Sequence, residues 1–157
     1  MKQPMSSKSK SPSESLTEMN QLVLPPDTNA LGTAFGGTVI AWIDICAAMA
    51  AQRHSRSAVV TASMEAVDFI APIRLGHLVN LRATVDCVGR SSMVVGVRVE
   101  SEDLTTGERV HAVNALVTFV ALTPEGTPLE VPRLDVTTDD ERLRYARADA
   151  IKARRRG

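Results

Sequence analysis

Between Gly37 and Gln52 this chain carries a single residue that is charged at neutral pH, Asp44. The surrounding run, "GGTVIAWIDICAAMAAQ", has no proline, no glycine after its first two residues, and a high alanine content. Its length, its alanine content and its lack of strand-like alternation predict a helix opening at Gly36-Gly37 and ending near Arg53. Such a helix is apolar on every side, so other elements must enclose it. It is also too short to span a bilayer. A carboxylate at its centre is costly to bury without a partner. The fold has to be built around this helix, and Asp44 has to be there for a reason.

Beyond the helix the pattern changes to period two. "AVVTASMEAVDFIAP", "HLVNLRATVDCVG", "SSMVVGVRVESEDL" and "RVHAVNALVTFVAL" alternate apolar and polar residues, and "TTGE" separates the last two as a hairpin turn. Upstream, "TEMNQLVL" reads as a short first strand closed by Pro25-Pro26, and "PDTNALGTAFGG" as a turn-rich loop. One enclosed helix against consecutive antiparallel strands requires the sheet to curl round it. The predicted class is α+β, with about five antiparallel strands wrapped around one long central helix. Positions 1–14, rich in Ser, Lys and Pro, are expected to be a disordered tail, and 15–136 one domain. Positions 137–157 should form an exposed, charged helix whose acids precede its bases, as the helix dipole favours. The long sheet edge left over needs cover, which dimerisation along that edge would supply.

Charge excludes one class of partner. Residues 15–137 hold eight bases against thirteen acids, so a generally basic nucleic-acid surface is not expected. The two cysteines, Cys46 and Cys87, are far apart and form no metal-binding or disulfide pattern. Cys46 is expected to pack as a small hydrophobe. No secretory leader is visible and no membrane insertion is expected, which reads as a cytoplasmic protein.

Three segments taken together are distinctive: "PDTNALGTAFGGTVIAWIDICAAMAA", "VVTASMEAVDFIAPIRLGHLV" and "VGRSSM". As a set they resemble the hotdog-fold acyl-CoA thioesterases, specifically the bacterial short acyl-CoA hydrolase branch and its tandem-domain animal relatives. The resemblance covers about residues 16–135, and His77 is a mild departure at a turn position where relatives often carry an acid. It implies hydrolysis of an acyl-CoA thioester at a site between two subunits. It also places Asn29 and Asp44 in that site, and implies assembly into trimers of dimers, a homohexamer. Coenzyme A would be part of the substrate, with no separate cofactor and no metal.

The chemistry can be matched to residues. Unpaired N–H groups at the start of the helix, at Gly36 and Gly37, suit a developing oxyanion, and glycine lets the carbonyl approach the backbone. Asp44 can deprotonate water or attack the carbonyl directly. It lies seven residues beyond Gly37, about 10 Å along the helix axis. One carbonyl cannot easily touch both within one chain, so Gly37 of one subunit is expected to face Asp44 of another. Asn29, on the loop before the helix, belongs with Gly37 and can orient water or the carbonyl. Arg90, Ser91 and Ser92, in a turn after Gly89, offer a guanidinium and two hydroxyls to the CoA phosphates. Thr61, Ser63, Phe69 and Ile70 are candidate pantetheine and acyl neighbours. A hotdog dehydratase would need a histidine beside Asp44, and His54, His77 and His111 all fall elsewhere. The alternative reading is a non-catalytic acyl-CoA-binding regulator with the same pocket.

Overall fold

The computed structural model describes residues 8–156, the last two by their backbone alone. Five long strands form one antiparallel sheet: β2 (Thr17–Leu22), β3 (Ala58–Phe69), β4 (Leu78–Val88), β5 (Ser92–Glu102) and β6 (Arg109–Leu122). Their spatial order is β2-β4-β5-β6-β3, so β3 lies on an open edge. Against one face runs α1 (Gly36–Ser55), the helix predicted from the apolar run. This is the hotdog arrangement, a sheet wrapped round a central helix.

The contact between helix and sheet explains the helix's composition. Val39, Ile43, Cys46, Ala47, Ala50 and Ala51 are buried, facing Leu81, Val85, Val95, Val99 and Phe119 of the sheet. Small residues at 46, 47, 50 and 51 let the helix sit close to the strands. Each fully buried Val, Leu or Ile contributes about 2 kcal/mol of transfer free energy. The opposite stripe is not covered by any of the described elements. Ala41 is exposed, Ile45 is 52% exposed and Met49 36%. The expectation of a helix enclosed on every side is therefore corrected for the single chain: a strip of α1 beside the open β3 edge stays uncovered.

Two further expectations are corrected. Of the tail expected to be disordered, residues 1–7 lie outside the described residues. The remainder is ordered: β1 (Ser9–Lys10) pairs in parallel with β7 (Arg133–Leu134), and Pro12–Ser15 forms a 3-10 turn. Lys10 Nζ donates to the carbonyls of His54 at 2.9 Å and Arg53 at 3.3 Å, a cation at the negative pole of α1. The second helix, α2 (Asp139–Arg156), opens with a capping box in which Glu141 N–H donates to Thr138 Oγ1 and Thr138 N–H to Glu141 Oε1. It is not wholly exposed. Ala148 and Ile151 are buried with Cys87, Val94 and Leu116, so α2 is docked on the outer face of the sheet. Among the described residues, no helix is long and apolar enough to cross a membrane.

Candidate active site

The loop before α1 presents the start of the helix as an open donor site. Phe35, in extended conformation, precedes the helix, and among the described residues no side chain caps its N-terminus. Ala34 N–H donates to Ile73 O at 2.7 Å and Phe35 N–H to Asp27 O at 2.8 Å, which fix the chain as it enters the helix. The first-turn N–H groups at Gly36 and Gly37 thus sit uncapped at the positive end of the dipole. Asn29 organises the preceding loop. Its Oδ1 accepts from the N–H groups of Leu31 at 2.9 Å and Thr33 at 3.3 Å, while Nδ2 donates to Thr33 Oγ1 at 3.0 Å. Among the described residues, that arrangement leaves the second Nδ2 hydrogen without a partner, at an exposed position.

Gly37 serves a purpose the sequence did not suggest. A Cβ at Gly37 would stand 2.8 Å from the Phe35 ring, and one at Gly36 would stand 3.7 Å from the Phe69 ring. The space at Gly37 is taken by Phe35, so an aromatic wall flanks the donor groups. Gly36, Val39, Phe69, Ile70 and Ile73 line a cavity of about 310 Å³ beside the helix start. Phe69 and Ile70 remain about half exposed there.

Asp44 is half-buried, and its partner comes from β3: Thr61 Oγ1 donates to Asp44 Oδ1 at 2.9 Å. Sequence reasoning placed Thr61 beside the substrate and missed this pairing. A hydroxyl inside the apolar "VVTAS" run was its only signal. Cys46, two residues on, is fully buried, and desolvation pushes its thiol up to about 11, so it is no nucleophile.

The candidate residues fall into two groups along the strands. Phe69 stands opposite Val113 of β6 and Thr61 opposite Phe119, with seven residues of β3 between them. Asn29, Gly36, Gly37, Phe69 and Ile70 gather at one end of α1. Thr61 and Asp44 lie further along, toward the sheet end where Ser92 pairs with Val120 and the turn at 89–92 projects. In that turn Gly89 N–H donates to Ser92 O at 2.9 Å, and Arg90 is exposed. Within one chain the two groups do not meet.

The histidines stay apart from Asp44. His54 is buried with a ring nitrogen 2.8 Å from Pro132 O, His77 contacts Ser101, and His111 contacts Asn114 and Arg98. Among the described residues, no three His, Cys, Asp or Glu side chains stand together as a metal-binding group.

Comparison with known proteins bears on this geometry. The sequence profile of the Thioesterase superfamily matches residues 31–108. The chain is 43% identical over 147 residues to the uncharacterized acyl-CoA thioester hydrolase YkhA of Bacillus subtilis, covering 91% of this chain and 86% of that one. It is 37% identical to mouse acyl-coenzyme A thioesterase 11, covering 86% of this chain but only 24% of that longer protein. Among solved structures, an apo-hexameric acyl-CoA thioesterase superposes with a TM-score of 0.90 at 44% identity, covering 95% of this chain and 96% of that one. An acyl-CoA hydrolase from Staphylococcus aureus, solved with butyryl coenzyme A, gives 0.85 at 41%, covering 93% and 92%. The same hydrolase has been solved with an aspartate, a threonine or an asparagine replaced by alanine.

Proposed function

From the premise that the chain belongs to the thioesterase superfamily, in its acyl-CoA hydrolase branch, we propose a site shared between two subunits. The protein is an acyl-CoA thioesterase, converting acyl-CoA and water to a fatty acid and free CoA. One observation carries the shared-site reading. The uncapped helix start with Asn29 and the Asp44–Thr61 pair lie at different heights in one chain, and the strip of α1 that joins them is uncovered. Two chains paired along β3, with their helices antiparallel, would bring each helix start opposite the partner's Asp44.

In that arrangement the N–H groups of Gly36 and Gly37 receive the carbonyl oxygen as it becomes an oxyanion. Donors of this kind are typically worth about 3 kcal/mol of barrier. Thr61 holds one oxygen of Asp44, leaving the other to take a proton from water. The water oxygen attacks the carbonyl carbon, the C–S bond breaks, and the departing thiolate recovers the proton. Asn29 turns its remaining amide hydrogen toward the water or the carbonyl. Phe69 and Ile70 flank the acyl or pantetheine chain, and Arg90, Ser91 and Ser92 hold the CoA phosphates.

Support for these roles comes from the Staphylococcus aureus variants. The replaced asparagine, aspartate and threonine follow one another at the same intervals as Asn29, Asp44 and Thr61 here. The hexameric relative supports a trimer of such dimers, and we read the setting as cytoplasmic. A regulator that only binds acyl-CoA would have no use for a carboxylate held ready by a hydroxyl. Release of free thiol from acetyl- to palmitoyl-CoA, followed with a thiol reagent, tests the reading. The expected result is turnover with a preferred chain length, and stoichiometric binding without thiol release would refute it.

A further inference from the structure

The turn at 89–92 is held by more of the molecule than a hairpin needs. Lys152, on α2, reaches across with its ammonium to donate to Val88 O at 3.1 Å, immediately before the turn. Its side chain is only 16% exposed, and Asp149 Oδ1 lies 3.6 Å from the same nitrogen. Val131 N–H donates to Arg90 O at 2.8 Å, and Ala121 N–H to Ser91 O at 2.9 Å. At Gly89 a Cβ would meet Ser92 Oγ at 2.6 Å and Lys152 Cδ at 3.8 Å, so Ser92 folds over the glycine while the lysine stem lies behind it. The carbonyls of residues 88, 90 and 91 are all tied down, while Arg90 stays exposed.

A lysine buried to this degree costs side-chain entropy and desolvation, and helix docking alone does not require it. Ala148 and Ile151 already fasten α2 to Cys87, Val94 and Leu116 through apolar contact. What Lys152 adds is a charged donor at the strand end that launches the turn. We propose that Lys152 is a positioning residue for the nucleotide end of coenzyme A: through the Val88 carbonyl it fixes the turn that carries Arg90, Ser91 and Ser92. The docked C-terminal helix is thereby part of substrate recognition. This rests on the reading of that turn as the CoA phosphate site.

The test compares Lys152→Met with wild type on an acyl-CoA and on the matching acyl-pantetheine thioester, which lacks the nucleotide. Loss of one hydrogen bond to a charged group should raise KM for acyl-CoA about three- to tenfold. The turnover number and the KM for the pantetheine thioester should stay as in wild type, and Lys152→Arg, which keeps a donor, should recover most of the loss. A folded Met variant with wild-type KM for acyl-CoA, or with equal losses on both substrates, overturns the proposal. If the Met variant shows no cooperative unfolding transition, Lys152→Gln is judged by the same two KM values. Arg90→Ala is measured alongside. If it raises the acyl-CoA KM and Lys152→Met does not, Lys152 alone has been misassigned. If Arg90→Ala has no effect either, the turn is not the nucleotide site and both readings fall.

Discussion

The hydroxyl of Thr61 on β3 donates to Asp44 Oδ1 at 2.9 Å, tying the middle of the central helix to the open edge of the sheet. That bond fixes one carboxylate oxygen and leaves the other to act. It also puts the acid on the face of α1 where a second subunit would dock.

Replacing Asp44 with alanine should lower kcat at least about 100-fold, the low end for loss of a positioned base. Thermal unfolding should show a fold no less stable than wild type, because a half-buried charge gives way to a small apolar residue. Activity within a few-fold of wild type would remove Asp44 from the mechanism.

Thr61→Val keeps the shape and removes the donor. With a hydrogen bond to a charged acceptor lost, kcat should fall about tenfold while KM changes little. A rise in KM with kcat intact would instead make Thr61 a substrate contact, as its position in the sequence first suggested.

Stability should decline below about pH 6.5, and His54 is the reason. The ring is fully buried, Nδ1 has no partner among the described residues, and desolvation lowers its pKa from the ordinary 6.5. The unfolded chain therefore takes up a proton near pH 6.5 that the folded chain refuses, and stability is lost as pH falls further. One proton sets an upper limit on the slope of about 1.4 kcal/mol per pH unit. Asp86 opposes it: burial over Gly96 raises its carboxyl from 3.8 to about 6, so between those values the folded state holds the extra proton. His54→Gln should abolish the decline between pH 6.5 and 6 and expose a gain in stability from pH 6 to 4. Melting curves across that range check it, and an unchanged profile would clear His54 of the effect.

Much of this architecture was legible because it is local. The apolar run of α1 and the period-two strands write their own conformations into the sequence, and Asp44 stood out by contrast with its neighbours. What escaped depends on distant partners. Ser9–Lys10 is ordered by pairing with Arg133–Leu134 and by the Lys10 contacts to the end of α1, none of which polar composition could suggest. In α2, Ala148 and Ile151 make a narrow apolar stripe hidden among charges. Gly37 looked like room for a substrate, yet the Phe35 ring fills that space. Thr61 was noticed, but its bond to Asp44 spans seventeen residues and a change of element.

The shared site is tested most directly by mixing two inactive proteins, Asn29→Ala and Asp44→Ala, under conditions that allow subunit exchange. Each variant alone damages both sites of its dimer. If the two residues act from opposite subunits, a mixed dimer concentrates both defects in one site and leaves the other intact. Random exchange makes about half of all dimers mixed, so activity should return to roughly a quarter of wild type. Mass measurement confirms that mixed dimers have formed. A mixture that contains them and stays inactive would mean that Asn29 and Asp44 serve one site within one chain, contradicting the account.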